Sequence, residues 1–231
     1  MKFLLSLAAL LNVGVVAATS KPMVQFYGEA SWPECQSFVN VGLKTLVEAE
    51  GVMDLIEFQF FPWGNAYFNT TNCGTDGFDK DAMFCWVKEC NVASPPANCF
   101  NSTLSPILCQ HGGQECQEDT VEGCAFAVAD SQSDALQFLL CFEGDHQSDL
   151  SAVEQCAKSS NVDYSKLQQC AAGQQGAQID INNAIATTKL GASKLGTPWV
   201  LINDVYVQNP MQLLDSVCAA ITGTKPAGCN V

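Results

Sequence analysis

One cysteine in this chain stands where a thiol enzyme would keep its nucleophile. In the segment FYGEASWPECQSF, residues 26–38, the β-prone run Met23, Val24, Phe26, Tyr27 breaks at Gly28 to Ser31. Pro33 then suits the first turn of a helix, where its missing N–H costs nothing. Cys35 falls in that first turn, and the positive end of a helix dipole, worth roughly 0.3–1 kcal/mol to a nearby anion, favours a thiolate there. Disulfide turnover of the C-x-x-C kind needs a second thiol three residues earlier, so that one sulfur attacks and the other resolves the mixed disulfide. Position 32 holds tryptophan. An indole neither attacks nor forms a disulfide, so the sequence presents a redox corner whose leading sulfur is missing. Trp32 itself has two readings, an aromatic that packs beside a turn or an exposed binding element.

A second group with chemical potential is Cys109, His111, Cys116 and Cys124, in the stretch CQHGGQECQEDTVEGC. Thiolates and imidazole are the usual tetrahedral zinc set. The spacing C-x-H-x4-C-x7-C is not a common zinc pattern, and an exported chain oxidises such thiols. The expectation is three half-disulfides with His111 in a polar turn, with no metal and no cofactor. His146, among Gly144, Asp145 and Gln147, reads as a surface loop residue.

The compartment follows from the N-terminus and the cysteines. Residues 1–18 carry Lys2, an apolar run from Phe3 to Val16 and the pair Ala17-Ala18, the build of a cleaved secretory signal peptide. Thirteen cysteines fit an oxidising compartment and a disulfide framework, and the odd number leaves at least one over. The sequons at Asn69 and Asn101 suit export and glycosylation, and belong on exposed loops if used. No later apolar run reaches the ~20 residues of a membrane span, so membrane insertion is not expected. Ten lysines, no arginine and 24 acidic residues give a net charge of −14, which argues against nucleic acid as a partner. The plain reading of that acidity is a solubilising surface.

The elements that must position these residues follow in order. A helix over 34–49, apolar at Phe38, Val41, Leu46 and Val47, leads at Gly51 into a strand from Met53 to Phe61 with Ile56, Phe58 and Phe60 on one face. A crossover helix between two strands implies a parallel pair. From 66 to about 108 the pattern dissolves into Gly, Asn, Asp, Pro and four cysteines, Cys73, Cys85, Cys90 and Cys99, read as a loop-rich insertion stapled by its own disulfides. Amphipathic segments at 132–143, 148–158 and 163–172 form a small helical lobe. A longer helix over 175–190, apolar at Ile179, Ile181, Ile185 and Leu190, returns the chain. Residues 196–203 enter a strand, Asp204 turns it, and Val205 to Val207 come back as a hairpin. A last helix from Pro210 to about Thr222 ends beside a local pair, Cys218 and Cys229. The expectation is one α/β domain over 19–231 with an insertion at about 66–175. The order of elements is that of a thioredoxin-like sheet, and by fold analogy the Thr197-Pro198 bond is a cis-proline facing the Pro33 turn.

Five segments carry a family resemblance. Cys109-Gln110-His111-Gly112 with Glu115, Cys116 and Cys124 resembles the signature C-Q-H-G-x-x-E-C-x-x-N-x4-C of the gamma-interferon-inducible lysosomal thiol reductase (GILT) family, with Asp119 at the asparagine. Tyr27 to Cys35 resembles its active-site segment, Pro62-Trp63-Gly64-Asn65-Ala66 its P-Y-G-N-A, Cys170 with Gly173 and Gly176 its C-x-x-G-x-x-G, and Pro198-Trp199-Val200 with Asn203 its P-W-V segment. The resemblance implies a thioredoxin-like fold with an inserted disulfide-rich loop and helical lobe, a glycosylated lysosomal or secreted location, and reduction of protein disulfides. Of the reactive pair only the second cysteine carries over, to Cys35. Trp32, Pro33, Thr197 and Pro198 then form a vestigial active site. Eight cysteines match the family's positions and the insertion adds four, leaving Cys35 unpaired.

Three functional readings follow. One is a secreted or lysosomal binding or regulatory protein that has lost dithiol chemistry, with an unidentified protein partner. Another is a thiol oxidoreductase using Cys35 as a single reactive thiol on protein disulfides. The last is a structural disulfide-rich protein.

Overall fold

Strand β1 (Met23–Gly28) buries Val24 and Phe26 and runs in parallel beside β2 (Glu57–Pro62), with Phe26 level with Phe60. The computed structural model describes residues 21–191, 194 and 196–230; the expected signal peptide at 1–18 lies outside them. Between these strands, α1 (Pro33–Phe38) continues through a π-helical turn, Val39–Leu43, into α2 (Lys44–Glu48). The wider turn adds a residue to the helical repeat and shifts its phase. Val41, expected on the apolar face, is therefore 51% exposed, whereas Val39 and Leu43 are buried.

Strands β3 (Tyr67–Phe68) and β4 (Ile107–Leu108) pair antiparallel at the base of the insertion. The segment between them is more ordered than its composition suggests, because it contains α3 (Lys80–Cys90). The Asp79 side chain accepts from the Ala82 amide at 2.8 Å, a helix N-cap. Met83, Trp86 and Cys90, at helical spacing, bury against Trp63 and Phe68. The four cysteines pair inside the insertion, Cys73 with Cys85 and Cys90 with Cys99.

The helical lobe comprises α4 (Gly113–Val128), α5 (Gln132–Leu139), α6 (Val153–Ser159) and α7 (Tyr164–Ala171). It is stapled by Cys124–Cys170 and Cys141–Cys156. Helix α8 (Gln174–Lys189) starts hard against the end of α7: a Cβ at Gly176 would lie 2.7 Å from the Cys170 carbonyl oxygen. The close approach demands glycine. The isoleucines expected to anchor α8 are only half-buried, and the residues it buries are Asn183, Ala184, Thr187 and Thr188. Asn183 Nδ2 donates to the Pro62 carbonyl at 3.2 Å, tying α8 to the end of β2.

Strand β5 (Trp199–Ile202) returns antiparallel to β1, and β6 (Val205–Tyr206) pairs with β5 through a tight turn at Asn203 and Asp204, both in the left-handed region. A 3-10 turn at Pro210–Gln212 leads into α9 (Leu213–Ala220), and Cys218–Cys229 closes the C-terminus. The sheet order is β2-β1-β5-β6. A parallel β-α-β unit followed by an antiparallel β-β-α unit is a thioredoxin-like α/β arrangement. Its main core joins Val24, Phe26, Phe60 and Val200 to Phe38, Leu43, Leu213 and Val217. Among the described residues no helix is long and apolar enough to cross a membrane.

Candidate functional site

The turn from β1 to α1 and the Thr197-Pro198 loop before β5 meet across the end of the sheet, and the Thr197-Pro198 bond is cis. Trp32 is half-buried, and its indole Nε1 donates to the Thr197 carbonyl at 3.0 Å. Its ring stacks on His111 with centroids 5.4 Å apart and packs against the main core. Trp32 is thus held from both the turn and the loop, a half-buried, packed residue. Cys35 lies in the first turn of α1 and is fully buried. Its Sγ is 3.3 Å from Thr197 Oγ1, and Thr197 Oγ1 in turn donates to the Tyr27 carbonyl at 3.0 Å. The threonine hydrogen is committed to Tyr27, so the thiol is the donor in the first contact. Burial, and then the Glu143 carboxyl, push the Cys35 thiol well above the ordinary range. The helix-start position favours a thiolate, but desolvation outweighs it.

Behind this corner Glu29 draws three of the resembling segments together. Gly64 stands in the left-handed region with a Cβ position 2.3 Å from the Glu29 side chain, so the glycine makes room for that carboxyl. The Asn65 amide donates to Glu29 Oε2 at 3.0 Å, and Asn65 Nδ2 donates to Gln110 Oε1 at 2.8 Å. His111 Nδ1 is 3.4 Å from Glu29 Oε1 and also contacts Glu115 Oε2, which accepts the His111 backbone amide at 3.2 Å. Gly112 caps the start of α4, and the Cys109–Cys116 disulfide fastens the loop to its first turn. With Cys124 bonded to Cys170, the four-ligand set drawn from sequence is dissolved into disulfides.

The acidity of the chain is not only a surface property. Glu29, Glu115, Glu118, Asp119, Glu122 and Glu143 are all buried. Asp119 Oδ1 accepts the Ala30 amide at 2.9 Å, a bond the family's asparagine oxygen could equally make, and Ser31 Oγ donates to Glu118 Oε2. These bonds pin the turn that presents Trp32. Burial first, then the neighbouring Glu115, push Glu29 up to about 8; burial pushes Glu115 up to about 7. Asp119, Glu122 and Glu143 are driven well above the carboxylate range by the same desolvation. Among the described residues both oxygens of Glu122 and of Glu143 lack a hydrogen-bond partner. In sequence the only trace of this interior was the acid spacing 115, 118, 119, 122, which is a helical face.

A cavity of about 290 Å³ opens beside the corner, between Trp32 and Thr197 on one wall and Phe78, Met83 and Phe84 of the insertion on the other. The insertion therefore lines one side of this cavity. Lys194 Nζ, which donates to Asn65 Oδ1 at 3.0 Å, lines the same cavity. Burial holds this ammonium down at about 8. Of the two sequons, Asn69 is half-buried with its carboxamide clasping both the amide and the carbonyl of Thr75, at 2.9 Å each. Asn101 heads a turn whose next three residues are exposed, and its Oδ1 accepts from the Thr103 amide at 3.0 Å. The expectation of an open loop suits Asn101 better than Asn69.

Of the thirteen cysteines, twelve form six disulfides and Cys35 is free. Residues 92–160 match the family model described as gamma interferon inducible lysosomal thiol reductase (GILT). The Gamma-interferon-responsive lysosomal thiol protein of Arabidopsis thaliana is 25% identical over 222 residues, 94% of this chain and 78% of its own length. The Gamma-interferon-inducible lysosomal thiol reductase of Mus musculus is 32% identical over 127 residues, 54% of this chain and 50% of its own. The Carassius auratus protein of the same name is 26% identical over 215 residues, 90% of this chain and 71% of its own. The chain is thus similar to GILT proteins, over part of its length in the family model and at 25–32% identity to these relatives, and it has a thioredoxin-like fold.

Proposed function

We propose that this chain is a GILT-like protein of the secretory pathway, secreted or lysosomal, that has lost dithiol chemistry and acts by binding a protein partner. The observation that carries this reading is the corner itself. Trp32 stands three residues before Cys35 and is bonded to Thr197, while Cys35 is buried and the other cysteines are spent in disulfides. Reducing a disulfide transfers two electrons, which a vicinal thiol pair supplies by closing its own disulfide. A single thiol stops at the mixed disulfide. The single-thiol reading also needs an accessible thiolate, and Cys35 is neither exposed nor acidic. Trp32 and the adjoining cavity, with Phe84 on its rim, are the surface proposed for the partner.

The test is turnover of a protein disulfide with a dithiol reductant. The wild-type chain is expected to give none, and Trp32→Cys to give measurable turnover, since the new thiol attacks and Cys35 resolves. Wild-type turnover abolished by Cys35→Ser would establish a working single-thiol enzyme and end this reading.

A further inference from the structure

Glu29, His111 and Glu115 come from three separate places, the turn after β1, the loop after β4 and the first turn of α4. Their donor atoms all lie within 4.8 Å of one another. Glu29 and Glu115 are 0% and 1% exposed, and Oε1 of each has no hydrogen-bond partner among the described residues. Both carboxyls face the same imidazole nitrogen. Two dehydrated carboxyls aimed at one imidazole are costly to ionise unless a positive charge is shared between them. Lys194 lies close enough for its charge to act on Glu29, but its ammonium donates to Asn65 Oδ1 and makes no ion pair with either carboxyl among the described residues. Two buried acids with lone pairs to spare, and an imidazole whose side chain is 34% exposed, are donors in search of a cation with a way in.

We propose that Glu29, His111 and Glu115 bind one divalent transition-metal cation of the Zn²⁺ class. One imidazole and two carboxylates are borderline donors of the kind that ion takes, and three protein ligands leave a fourth position for water. The +2 charge offsets the two negative charges that the carboxyls carry once they ligate the ion. The surroundings hold the ligands as outer-shell groups do around metals: the Asn65 amide fixes Glu29 Oε2, the His111 amide fixes Glu115 Oε2, and Trp32 stacks on the imidazole. Sulfur is not needed, because Cys109 and Cys116 are bonded to each other. The set is invisible in the sequence, where Glu29 is far from the other two.

The experiment is equilibrium dialysis of the metal-free full chain against Zn²⁺ at pH 7. One ion per chain is expected. His111→Ala should weaken it by about tenfold or more, and Glu115→Gln likewise, on the scale of lost metal-site groups. Cys35→Ser should leave it unchanged. Because Glu115 is buried and its variant could unfold, the half-exposed His111 carries the test, with thermal melting as the folding control. X-ray absorption at the zinc edge should find only nitrogen and oxygen neighbours, and Co²⁺ should quench fluorescence that Trp32→Phe removes. No stoichiometric binding, equal binding by folded His111→Ala, or sulfur in the first shell would each overturn the site.

Discussion

The Cys35 thiol donates its hydrogen to Thr197 Oγ1 across 3.3 Å, because the Thr197 hydroxyl has already given its own to Tyr27. Burial holds the sulfur as a neutral thiol at the seam between the helix start and the cis-proline loop. Trp32 grips the same threonine through its carbonyl. One residue thus couples the buried thiol to the indole three residues before it.

That coupling sets the reactivity of Cys35. In the native chain, alkylation of Cys35 should be at least about a thousandfold slower than for free cysteine, since attack requires both opening and deprotonation. Under denaturing, non-reducing conditions Cys35 alone should label. Trp32→Ala should raise native labelling by about tenfold or more by removing the indole from the seam. Fast native labelling, or labelling at another cysteine, contradicts the arrangement.

The disulfides should differ in worth by the loops they close. Cys124–Cys170 spans 46 residues and Cys109–Cys116 spans 7. Chain entropy assigns about 4 kcal/mol to the former and about 2.4 kcal/mol to the latter. Paired alanine replacements followed by urea unfolding should rank them in that order, with the lobe more sensitive than the loop before α4. The opposite order would show that local strain or residual structure dominates.

Glycan occupancy is expected at Asn101 rather than Asn69. A glycan on Asn69 must disturb a carboxamide that clasps Thr75 from both sides. Asn101→Gln should remove a glycosidase-sensitive mass step in protein expressed through a secretory pathway. Asn69→Gln should leave that step and instead lower stability by about 1 kcal/mol, the usual net worth of such bonds. Occupancy confined to Asn69 reverses the assignment.

Much of the scaffold was legible because it is written in local signals. Pro33 marked the helix start, the Asn203-Asp204 turn marked the hairpin, and cysteine parity left Cys35 over. Helix α3 was hidden because Gly, Asn and Cys around it mimic a loop, although Asp79 as a cap and Met83, Trp86 and Cys90 at helical spacing were there to be read. The acids of α4 were misjudged for a physical reason: charge predicts exposure unless partners bury it, and Glu118 and Asp119 find theirs in the turn at Ala30 and Ser31. Likewise α8 buries Asn183, Ala184, Thr187 and Thr188, with Asn183 spent on the Pro62 carbonyl, while Ile179 rests half-buried against Gly123 of α4.

Those buried acids give the fold a pH dependence whose sign is fixed. Glu122 and Glu143 are fully buried, near Glu115, Glu118, Asp119 and the Cys35 thiol, with no hydrogen-bond partner for any of their oxygens among the described residues. Burial raises both above their ordinary 4.5, and for Glu122 the charge of Glu143 adds to it. Folding therefore takes up protons, since the native state holds both groups neutral at a pH where the unfolded chain has ionised them. Their contribution is fully present below about 4.5 and declines as pH rises from there through neutrality, at about 1.4 kcal/mol per pH unit for each carboxyl still protonated in the native state. Urea unfolding from pH 4.5 to 7.5 should show stability falling with pH. Glu143→Gln and Glu122→Gln should each stabilise the protein at pH 7 and flatten the slope by about one proton, and the double variant by about two. A wild-type stability that rises toward neutrality, or glutamine variants that leave the slope untouched, would mean these carboxyls are ionised in the native state and balanced by a charge that the fold does not supply.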